Sequence, residues 1–509
     1  MTLINNLVNA VSQKYPTVVA TGFTTAYLGD ERSLREFIVG DYLCKQIARS
    51  KGNAVLYLIN DSYDPLKYGQ LRIAVNKSEK LLAQFEHYCG YPIAEIPDPF
   101  DCHESYSQHF SSALLERLHR LDIYPVMLDT YQAYKNGYYD KFIKITLENY
   151  SKIQQVVAHE FDSLIIYDLL HLKCPRCQRM DTTHIHKVEN SKIQLECDHC
   201  KTNKWHDSEG LQGKLSWKLD CAARWNLYQI DAEAFSKNHL MPKGTYDVSQ
   251  FVSRNFFGGN APVPVKYGTV QIDREVSYKL LEILPPVVLK NLFLKNFNRD
   301  IDITKDSVEH FCHRFDIQPG ISYIDYIHKE LPQQAIRSVA AGSASLLDEK
   351  LVSYGNRFAK FYYNQDHSIG LPNLQAINTV DTPIARIAYN IIVNTLTVRY
   401  EQHAQETCVR AIISLCLKDR NKVPPAVTHY IRQLLGQPRG LSLSTLLTLL
   451  PIDYLEMIQT ALSFYINMNS PAGEPCDHSD SVGTSVRLRA TMSKSDTWVN
   501  WITNPAGLE

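Results

Sequence analysis

Two pairs of closely spaced cysteines give the sequence its clearest chemical signal. Cys174 and Cys177 form one CxxC pair, Cys197 and Cys200 form the second, and nineteen residues separate the pairs. Two thiolates presented from each of two tight turns suit a tetrahedral zinc ion. Four thiolates complete the coordination sphere and leave no position for water, so we expect a structural and not a catalytic ion. The alternative is four incidental thiols in a reducing compartment.

The composition is typical of a folded globular protein. Hydrophobic residues make up 44% and charged residues 21% of the 509 residues, which excludes a disordered or membrane-embedded chain. A formal net charge of −1 gives no general basic surplus for binding nucleic-acid phosphates, although a local basic face stays open. The sequence starts without a basic segment followed by an apolar run, and it has no stretch of eighteen apolar residues. We therefore expect a cytoplasmic protein without a membrane partner.

The elements that must position a site alternate near the start of the chain. Residues 17–23, TVVATGF, and residues 54–60, AVLYLIN, are short apolar runs that predict strands. Between them, residues 33–52 have apolar side chains at helical spacing. This alternation predicts an α/β fold with a parallel sheet. Ligands bind beyond the carboxyl ends of such strands, which directs attention to the loops at Gly22 and at DSYDPL, after residue 60.

One segment of the chain resembles a known family. EIPDPFDCHESYSQHF, from Glu95 to Phe110, is similar to the EIPDPF-x-CHESYxxHF segment of class I lysyl-tRNA synthetases. Further blocks agree in collinear order, namely SYDPLKYG at Ser62, SWKLDCAARW at Ser216, FFGGNAPVPVKY at Phe256 and LLGQPRGLSL at Leu434. Together the blocks cover residues 17–443, so the resemblance implies the architecture of the whole family and not of one domain.

The implied architecture is a Rossmann-type class I synthetase catalytic domain with an inserted zinc-ribbon module and an all-α carboxyl-terminal domain similar to anticodon-binding domains. The corresponding boundaries are residues 1–170 for the first part of the catalytic domain, 171–206 for the zinc ribbon, 207–280 for the second part of the catalytic domain, 281–345 for a helical stem-contact region, 346–470 for the helical anticodon-binding-like domain and 471–509 for a tail.

The family handles ATP with two motifs that do not match here. A histidine-rich HIGH-type element opens the first helix of family members, but an ungapped match puts Asp30, Glu31, Arg32 and Ser33 at that position. A glycine-rich KMSKS-type loop follows the last strand, whereas residues 268–283, GTVQIDREVSYKLLEI, form a segment shorter by about ten residues. MSKS does occur at residues 492–495, but it lies more than two hundred residues too late and we interpret it as a coincidence.

These two differences make ATP a doubtful cofactor. Two carboxylates beside a triphosphate repel it unless a magnesium ion intervenes. Removal of one preorganised donor to a transition state typically costs ~3 to 4 kcal/mol, so loss of both motifs predicts loss of ordinary lysine activation.

The amino-acid pocket of the family, in contrast, has recognisable counterparts. The resemblance assigns to it Thr21, Gly22, Trp217, Asp220, Arg224, His239 and Tyr246. A carboxylate there can pair with an ammonium group, and an aromatic ring can cover an alkyl stem. The alternative is that Trp217 and Trp225 are core residues and that Asp220 and Arg224 form an internal ion pair. The resemblance implies a second tryptophan at the position of Cys221, and this difference leaves the identity of the amino acid open.

Three functions fit this combination. The first is a repurposed relative that binds an amino acid or an aminoacyl-adenosine compound and uses charged tRNA or a preactivated amino acid in a specialised pathway. The second is a non-catalytic RNA-binding regulator, which predicts no turnover with any amino acid. The third is an active lysine-tRNA ligase with an unorthodox ATP site.

Overall fold

The computed structural model divides the chain into two compact units, Met1–Phe311 and Cys312–Glu509. It describes residues 2–11, 16–162, 164–189, 191–331, 349–363, 374–400, 406–417, 424–436, 442–450 and 452–469. The MSKS tetrapeptide and the predicted tail lie outside these described residues.

The described residues contain fourteen strands. In chain order they are β1 (Thr17–Phe23), β2 (Ala54–Asn60), β3 (Val126–Asp129), β4 (Leu170–Leu172), β5 (Thr183–Glu189), β6 (Lys192–Cys197), β7 (Thr202–Asp207), β8 (Gly213–Leu215), β9 (Ala232–Ser236), β10 (Val263–Tyr267), β11 (Val270–Ile272), β12 (Ile301–Ile303), β13 (Asp316–Gln318) and β14 (Ile321–Ser322).

The α-helices of the described residues up to residue 325 are α1 (Thr2–Ala10), α2 (Leu34–Lys51), α3 (Tyr68–Ala74), α4 (Glu79–Phe85), α5 (Tyr106–Arg120), α6 (Thr130–Lys135), α7 (Asp140–Glu148), α8 (Tyr150–Glu160), α9 (Trp217–Leu227), α10 (Thr245–Val252), α11 (Leu280–Ile283), α12 (Pro286–Leu294), α13 (Lys305–Arg314) and α14 (Tyr323–Asp325). The later helices are α15 (Glu349–Tyr363), α16 (Thr382–Tyr400), α17 (Glu406–Leu417), α18 (Pro424–Leu434), α19 (Leu443–Leu449) and α20 (Ile452–Asn469).

A five-stranded parallel sheet forms the centre of the first unit. Its strand order is β10-β9-β1-β2-β3, and β1 pairs with β2 over its whole length, from Thr17 opposite Ala54 to Phe23 opposite Asn60. β1 lies between β2 and β9, so the chain crosses from one half of the sheet to the other beside β1. Such a crossing point is where ligands bind in open parallel sheets.

Helix α2 packs on this sheet through an almost continuous buried face. Leu34, Phe37, Ile38, Leu43 and Ile47 are buried, and their spacing is that of an amphipathic helix. Because both faces of a parallel sheet are covered by such helices, its strands are apolar along their length. The predicted strands at residues 17–23 and 54–60 and the helix between them are confirmed.

A small antiparallel module leaves the first unit between β4 and β8. These two strands pair with each other, with Leu170 opposite Leu215 and Leu172 opposite Gly213, and form the stem of the module. Beyond the stem, β5, β6 and β7 form a three-stranded sheet. This is the region that the sequence predicts as an insertion.

Helices dominate the described residues of the second unit. A common apolar core contains Ile391, Ile392, Leu434, Leu447 and Leu462, which come from α16, α18, α19 and α20. The predicted fold class, α/β with a helical carboxyl-terminal region, is thereby confirmed. The finer domain boundaries stay predictions. Within the described residues, no helix combines the length and apolar character that a membrane span requires.

Candidate amino-acid site and metal centres

Asp220 and Arg224 form a fully buried ion pair on α9. They are four residues apart and therefore share a helix face, and Arg224 Nη2 lies 2.6 Å from Asp220 Oδ2. The same nitrogen lies 2.8 Å from Oδ1 of Asp61, which follows β2 directly. The internal ion pair considered from the sequence is therefore present, and it is tied to the carboxyl end of the sheet.

Two further groups hold Asp220 in place. The Tyr134 hydroxyl donates to Asp220 Oδ1 at 2.6 Å, and Lys214 Nζ lies 3.9 Å from Asp220 Oδ2. Burial alone raises the pKa of this carboxyl, but the charges of Lys214 and Arg224 outweigh burial and hold its pKa below the ordinary value. Asp220 is thus an ionised carboxylate with partners on two sides.

Two of the nitrogen donors of Arg224 have no hydrogen-bond acceptor among the described residues. They are Nε and Nη1, and both atoms are buried. The guanidinium carbon lies 4.7 Å from the centre of the Trp217 ring, a cation–π contact. A Cβ atom added to Gly22 would lie 3.7 Å from Arg224 Nη1, so the carboxyl end of β1 passes close to the guanidinium. The structure therefore brings Gly22, Trp217, Asp220 and Arg224 together, and their role as an amino-acid pocket stays a prediction.

Glu36 is a site residue that sequence reasoning missed. It lies deep in the protein yet keeps partial solvent accessibility, and its carboxylate accepts from the Gly22 N–H at 2.7 Å and from the Tyr267 hydroxyl. Burial raises the pKa of Glu36 to about 7 despite these two donors. No cation pairs with it among the described residues, so this carboxyl can receive an ammonium group from a ligand.

The remaining predicted pocket residues lie around this centre at different distances. The His239 ring lies 6.1 Å from the Trp217 ring, and Tyr246 lies 5.6 Å from the ring of Trp225. Trp225 is buried and its indole N–H donates to Glu233 at 2.5 Å, which matches the core alternative for this tryptophan. Trp217, in contrast, is partly accessible.

The Thr21 hydroxyl is used by the sheet itself. It donates to the Tyr57 carbonyl of β2 at 3.2 Å and the residue is buried. Thr21 therefore adjoins the pocket through Gly22, and its side chain supports the β1 strand end.

The two carboxylates at the amino-terminal end of α2 contact the segment after β11. Asp30 Oδ2 accepts from the Ser277 hydroxyl at 2.8 Å, and Glu31 Oε2 accepts from the Tyr278 N–H at 2.8 Å. Both acids are buried. Asp30 also accepts from the backbone N–H and the side chain of Arg32, at 3.1 Å and 2.7 Å. We call these contacts the 30–278 clasp.

The four predicted metal-binding cysteines lie together in the inserted module. Their sulfur atoms all lie within 4.8 Å of one another, with Cys174 and Cys200 at 3.6 Å and Cys177 and Cys197 also at 3.6 Å. Zinc–sulfur bonds of ~2.3 Å in a tetrahedron require sulfur separations of roughly 3.8 Å. The donor set therefore fits zinc, and the four residues can hold one structural ion.

A second group of metal-binding side chains was not predicted. Asp98, Cys102, His103 and His109 offer ligand atoms within 4.8 Å of one another, and Cys102 Sγ lies 3.1 Å and 3.2 Å from the Nδ1 atoms of His103 and His109. Oxygen, sulfur and two imidazole nitrogens also form a donor set that zinc accepts. The D-x3-C-H-x5-H spacing was a signal available in the sequence.

Backbone contacts fix the carboxylate of this second group. Asp98 accepts from the N–H groups of Phe100, Cys102 and His103 at 3.0, 2.9 and 2.8 Å. Burial raises its pKa, but these donors outweigh burial and hold the pKa below the ordinary value. Asp98 is therefore an ionised and preoriented ligand.

Comparison with known proteins identifies the family. The model of the family described as tRNA synthetases class I (K) matches residues 2–336. The chain belongs to the class I (K) tRNA synthetases. It is 29% identical to the lysine–tRNA ligase of Archaeoglobus fulgidus over 294 residues, which cover 54% of this chain and 57% of that protein. It is 31% identical to the lysine–tRNA ligase of Methanosphaera stadtmanae over 247 residues, which cover 48% of this chain and 45% of that protein.

The chain spans about half the length of these curated relatives. A glutamate tRNA ligase from Elizabethkingia meningosepticum, solved with its amino acid, is similar with a TM-score of 0.43 and 10% identity, covering 89% of this chain and 100% of that chain.

Two segments of the chain stay the predicted counterparts of the family's ATP motifs. In the family comparison made from the sequence, residues 30–33 occupy the HIGH-type position and residues 268–283 replace the KMSKS-type loop. The 30–278 clasp joins these two segments directly. The carboxylates therefore point into the protein and not toward an open site.

Proposed function

We propose that this class I (K) tRNA synthetase binds an amino acid with a side-chain amine, or its aminoacyl-adenosine form, without activating it with ATP. It would instead use a preactivated amino acid or charged tRNA as a substrate in a specialised pathway. The observation that carries this proposal is the 30–278 clasp.

The clasp opposes ATP in two ways. A helix amino terminus attracts phosphate because its first N–H groups are free, but here the Asp30 carboxylate already accepts from the Arg32 N–H. A phosphate that displaced the clasp would also meet the freed carboxylates of Asp30 and Glu31, which would repel it. A ligand that opened the clasp would lose charge-assisted hydrogen bonds worth ~1.5 to 3 kcal/mol each.

The charge of the pocket supports a ligand with amino groups. Buried carboxylates outnumber buried cations around α9. The carboxylates are Glu36, Asp61, Asp220 and Glu233, and the cations are Lys214 and Arg224. Burying unpaired negative charge is costly, and a ligand amine offsets that cost. Neither Glu36, beside Gly22, nor Glu233 has an ion-pair partner among the described residues, but Glu233 is buried and accepts from the Trp225 indole N–H.

Lysine-dependent exchange of pyrophosphate into ATP tests the loss of activation. We expect no exchange above that of Asp220→Ala, with or without tRNA, for lysine and the other standard amino acids. Detectable lysine-dependent exchange would refute the proposal and favour an active lysine-tRNA ligase with an unorthodox ATP site.

Binding assays test the rest of the proposal. We expect L-lysine or a non-hydrolysable lysyl-adenosine sulfamate to raise the melting temperature, because a ligand of the native state stabilises it by mass action. A gel shift with total tRNA then separates the two remaining functions. Salt-sensitive tRNA binding together with amino-acid binding supports a tRNA-using enzyme, whereas tRNA binding without any amino-acid binding would replace the proposal by an RNA-binding regulator.

A further inference from the structure

Lys214 is a buried lysine at the base of the inserted module. It lies in the middle of β8, is 1% exposed, and stands opposite His171 of β4 in the two-stranded stem. Its Nζ atom lies 2.7 Å from Asp64 Oδ1 and 3.9 Å from Asp220 Oδ2. A lysine is almost never buried to this degree unless it is paired, and here its partners belong to the loop after β2 and to α9.

The stem makes a second contact with the same carboxylate. The backbone N–H of Leu215, the next residue, donates to the Tyr134 hydroxyl at 3.0 Å, and this hydroxyl donates to Asp220 Oδ1 at 2.6 Å. Consecutive residues of β8 therefore act on both oxygens of Asp220, one through charge and one through a tyrosine. A shift of β8 relative to α9 would disturb both contacts together.

The other end of the stem continues into the four-cysteine centre. Lys173 N–H donates to the Gln212 carbonyl at 2.7 Å and Cys174 N–H donates to the Arg179 carbonyl at 2.8 Å. The Thr183 hydroxyl of β5 closes the corner by donating to the Leu172 carbonyl at 2.6 Å. Only Lys173 separates the last residue of β4 from the first cysteine, so a metal-free module would lose order next to the stem.

We propose that Lys214 is a positioning residue through which the metal-bound four-cysteine module sets the geometry of the Asp220–Arg224 pair in the amino-acid pocket. The proposal rests on the proposed function for the identity of the pocket, but the contacts that it describes exist without any ligand. Metal binding at such modules is also folding free energy, and β4 and β8 transmit part of that free energy to α9.

The electrostatics agree with this role. Burial by itself lowers the pKa of Lys214, but Asp64, Asp220 and Asp61 outweigh burial and raise it, so the lysine stays charged. Removing one partner of a buried ion pair leaves the other charge uncompensated. Without Lys214, Asp220 would keep only Arg224 as a cation, and Arg224 is shared with Asp61.

Native-state hydrogen exchange on the intact protein tests the coupling without a ligand. In Lys214→Met we expect the amides of residues 215–224 to exchange at least tenfold faster, while zinc content stays that of the unchanged protein. Zinc removal by a chelator should accelerate the same amides, and Lys214→Arg, which keeps the charge, should accelerate them less than Lys214→Met. Lys187→Met, at an exposed lysine of the same module, is the matched control and should leave them unchanged.

A second variant guards against a general loss of folding. A Cβ at Gly213 would lie 2.4 Å from the His171 carbonyl oxygen, so Gly213→Ala disturbs the stem without removing a charge. We expect it to accelerate exchange in α9 while α2 stays protected. Unchanged α9 exchange in both Lys214→Met and Gly213→Ala would overturn the proposal, as would equal acceleration in α2.

Probe binding distinguishes this proposal from the proposed function. With L-lysine and the lysyl-adenosine sulfamate as probes, Lys214→Met should lose at least tenfold in affinity, and the loss should grow as the pH falls from 8 to 6, because Asp220 without Lys214 takes up a proton more readily. An equal loss at both pH values would indicate packing alone and overturn the positioning role. If the unchanged protein binds neither probe, the proposed function fails, and the exchange experiment still decides whether the module and α9 are coupled.

Discussion

Glu36→Gln should raise the stability of the free protein at high pH and at the same time weaken ligand binding. The carboxyl is surrounded by protein, accepts from the Gly22 N–H and the Tyr267 hydroxyl, and has no cationic partner among the described residues. Its pKa rises from an ordinary 4.5 to about 7 because of burial. A glutamine fits the same space and can still accept from Gly22, while the Tyr267 hydroxyl oxygen can accept from its amide.

The size of the stability change follows from the pKa of Glu36 in the folded and in the unfolded protein. A group whose pKa is higher in the folded state contributes stability that is complete below its unfolded pKa and is lost as the pH rises through its folded pKa. A shift of roughly 2.5 pH units corresponds to about 3 kcal/mol at 1.36 kcal/mol per unit. The unchanged protein should therefore lose up to ~3 kcal/mol from this group between pH 4.5 and pH 8, whereas Glu36→Gln should lose none of it.

Melting curves of both proteins at a series of pH values measure this difference. We expect similar melting temperatures near pH 5 and a higher melting temperature for Glu36→Gln near pH 8.5. The variant should also lose the stabilisation by L-lysine, since an amide cannot pair with an ammonium group as a carboxylate does. A variant that is less stable at pH 8.5, or a difference independent of pH, would refute the reasoning about Glu36.

Three further predictions concern the metal centres and the helix that carries Glu36. Metal-replete protein should contain two zinc equivalents per chain, as measured by elemental analysis. Cys197→Ser should remove one equivalent and lower the melting temperature, because the inserted module loses its order without the ion. A zinc content far below one equivalent would contradict the four-cysteine centre. Cys102→Ser should remove only the other equivalent, so a zinc content unchanged from the unmodified protein would exclude the second centre. Arg35→Met should destabilise the protein by ~3 kcal/mol or more in chemical unfolding, because it leaves five carbonyl acceptors without their donor; an unchanged midpoint would refute that role.

Local patterns were enough to predict several parts of the site. The run TVVATGF forms β1 with the expected boundaries, and the spacing of Trp217, Asp220 and Arg224 places them on one helix, as the i, i+4 rule requires. Each CxxC pair forms a single turn, so its spacing alone places the two thiols on the same side of the chain. In each of these cases, the information lies within about ten residues of chain.

Glu36 and Lys214 were not predictable in this way. Glu36 stands among apolar residues of α2 as an ordinary polar position, and its role arises from Tyr267, 231 residues away. Lys214 acquires its partners from Asp64, 150 residues away, and from α9. A single sequence does not contain these distances, because they depend on how the strands are ordered in the sheet. Cys102 and its neighbours are different, since their spacing was visible and was not interpreted as a metal site.

The amino-terminal turn of α2 connects residues 30–33, the predicted counterpart of the HIGH-type element, to the candidate amino-acid site. Asp30 and Glu31 hold the segment at residues 277–278, and Glu36, one and a half turns later, faces Gly22. Between them, the buried Arg35 donates to the carbonyls of Gly268 at 3.0 Å and Arg299 at 2.9 Å, among others.

A helix end held on these sides has little freedom to move when a nucleotide arrives. In a ligase that cycles through ATP binding, loops beside the phosphates close and open during turnover. In this chain Asp30 and Glu31 accept hydrogen bonds from residues 277–278, and Arg35 donates to carbonyls that include that of Gly268. Separate hydrogen bonds from Gly22 and Tyr267 hold the Glu36 carboxylate. The proposed loss of activation and the proposed amine site are therefore both compatible with this held helix end, and we expect variants that open the clasp to loosen the pocket before they restore any use of ATP.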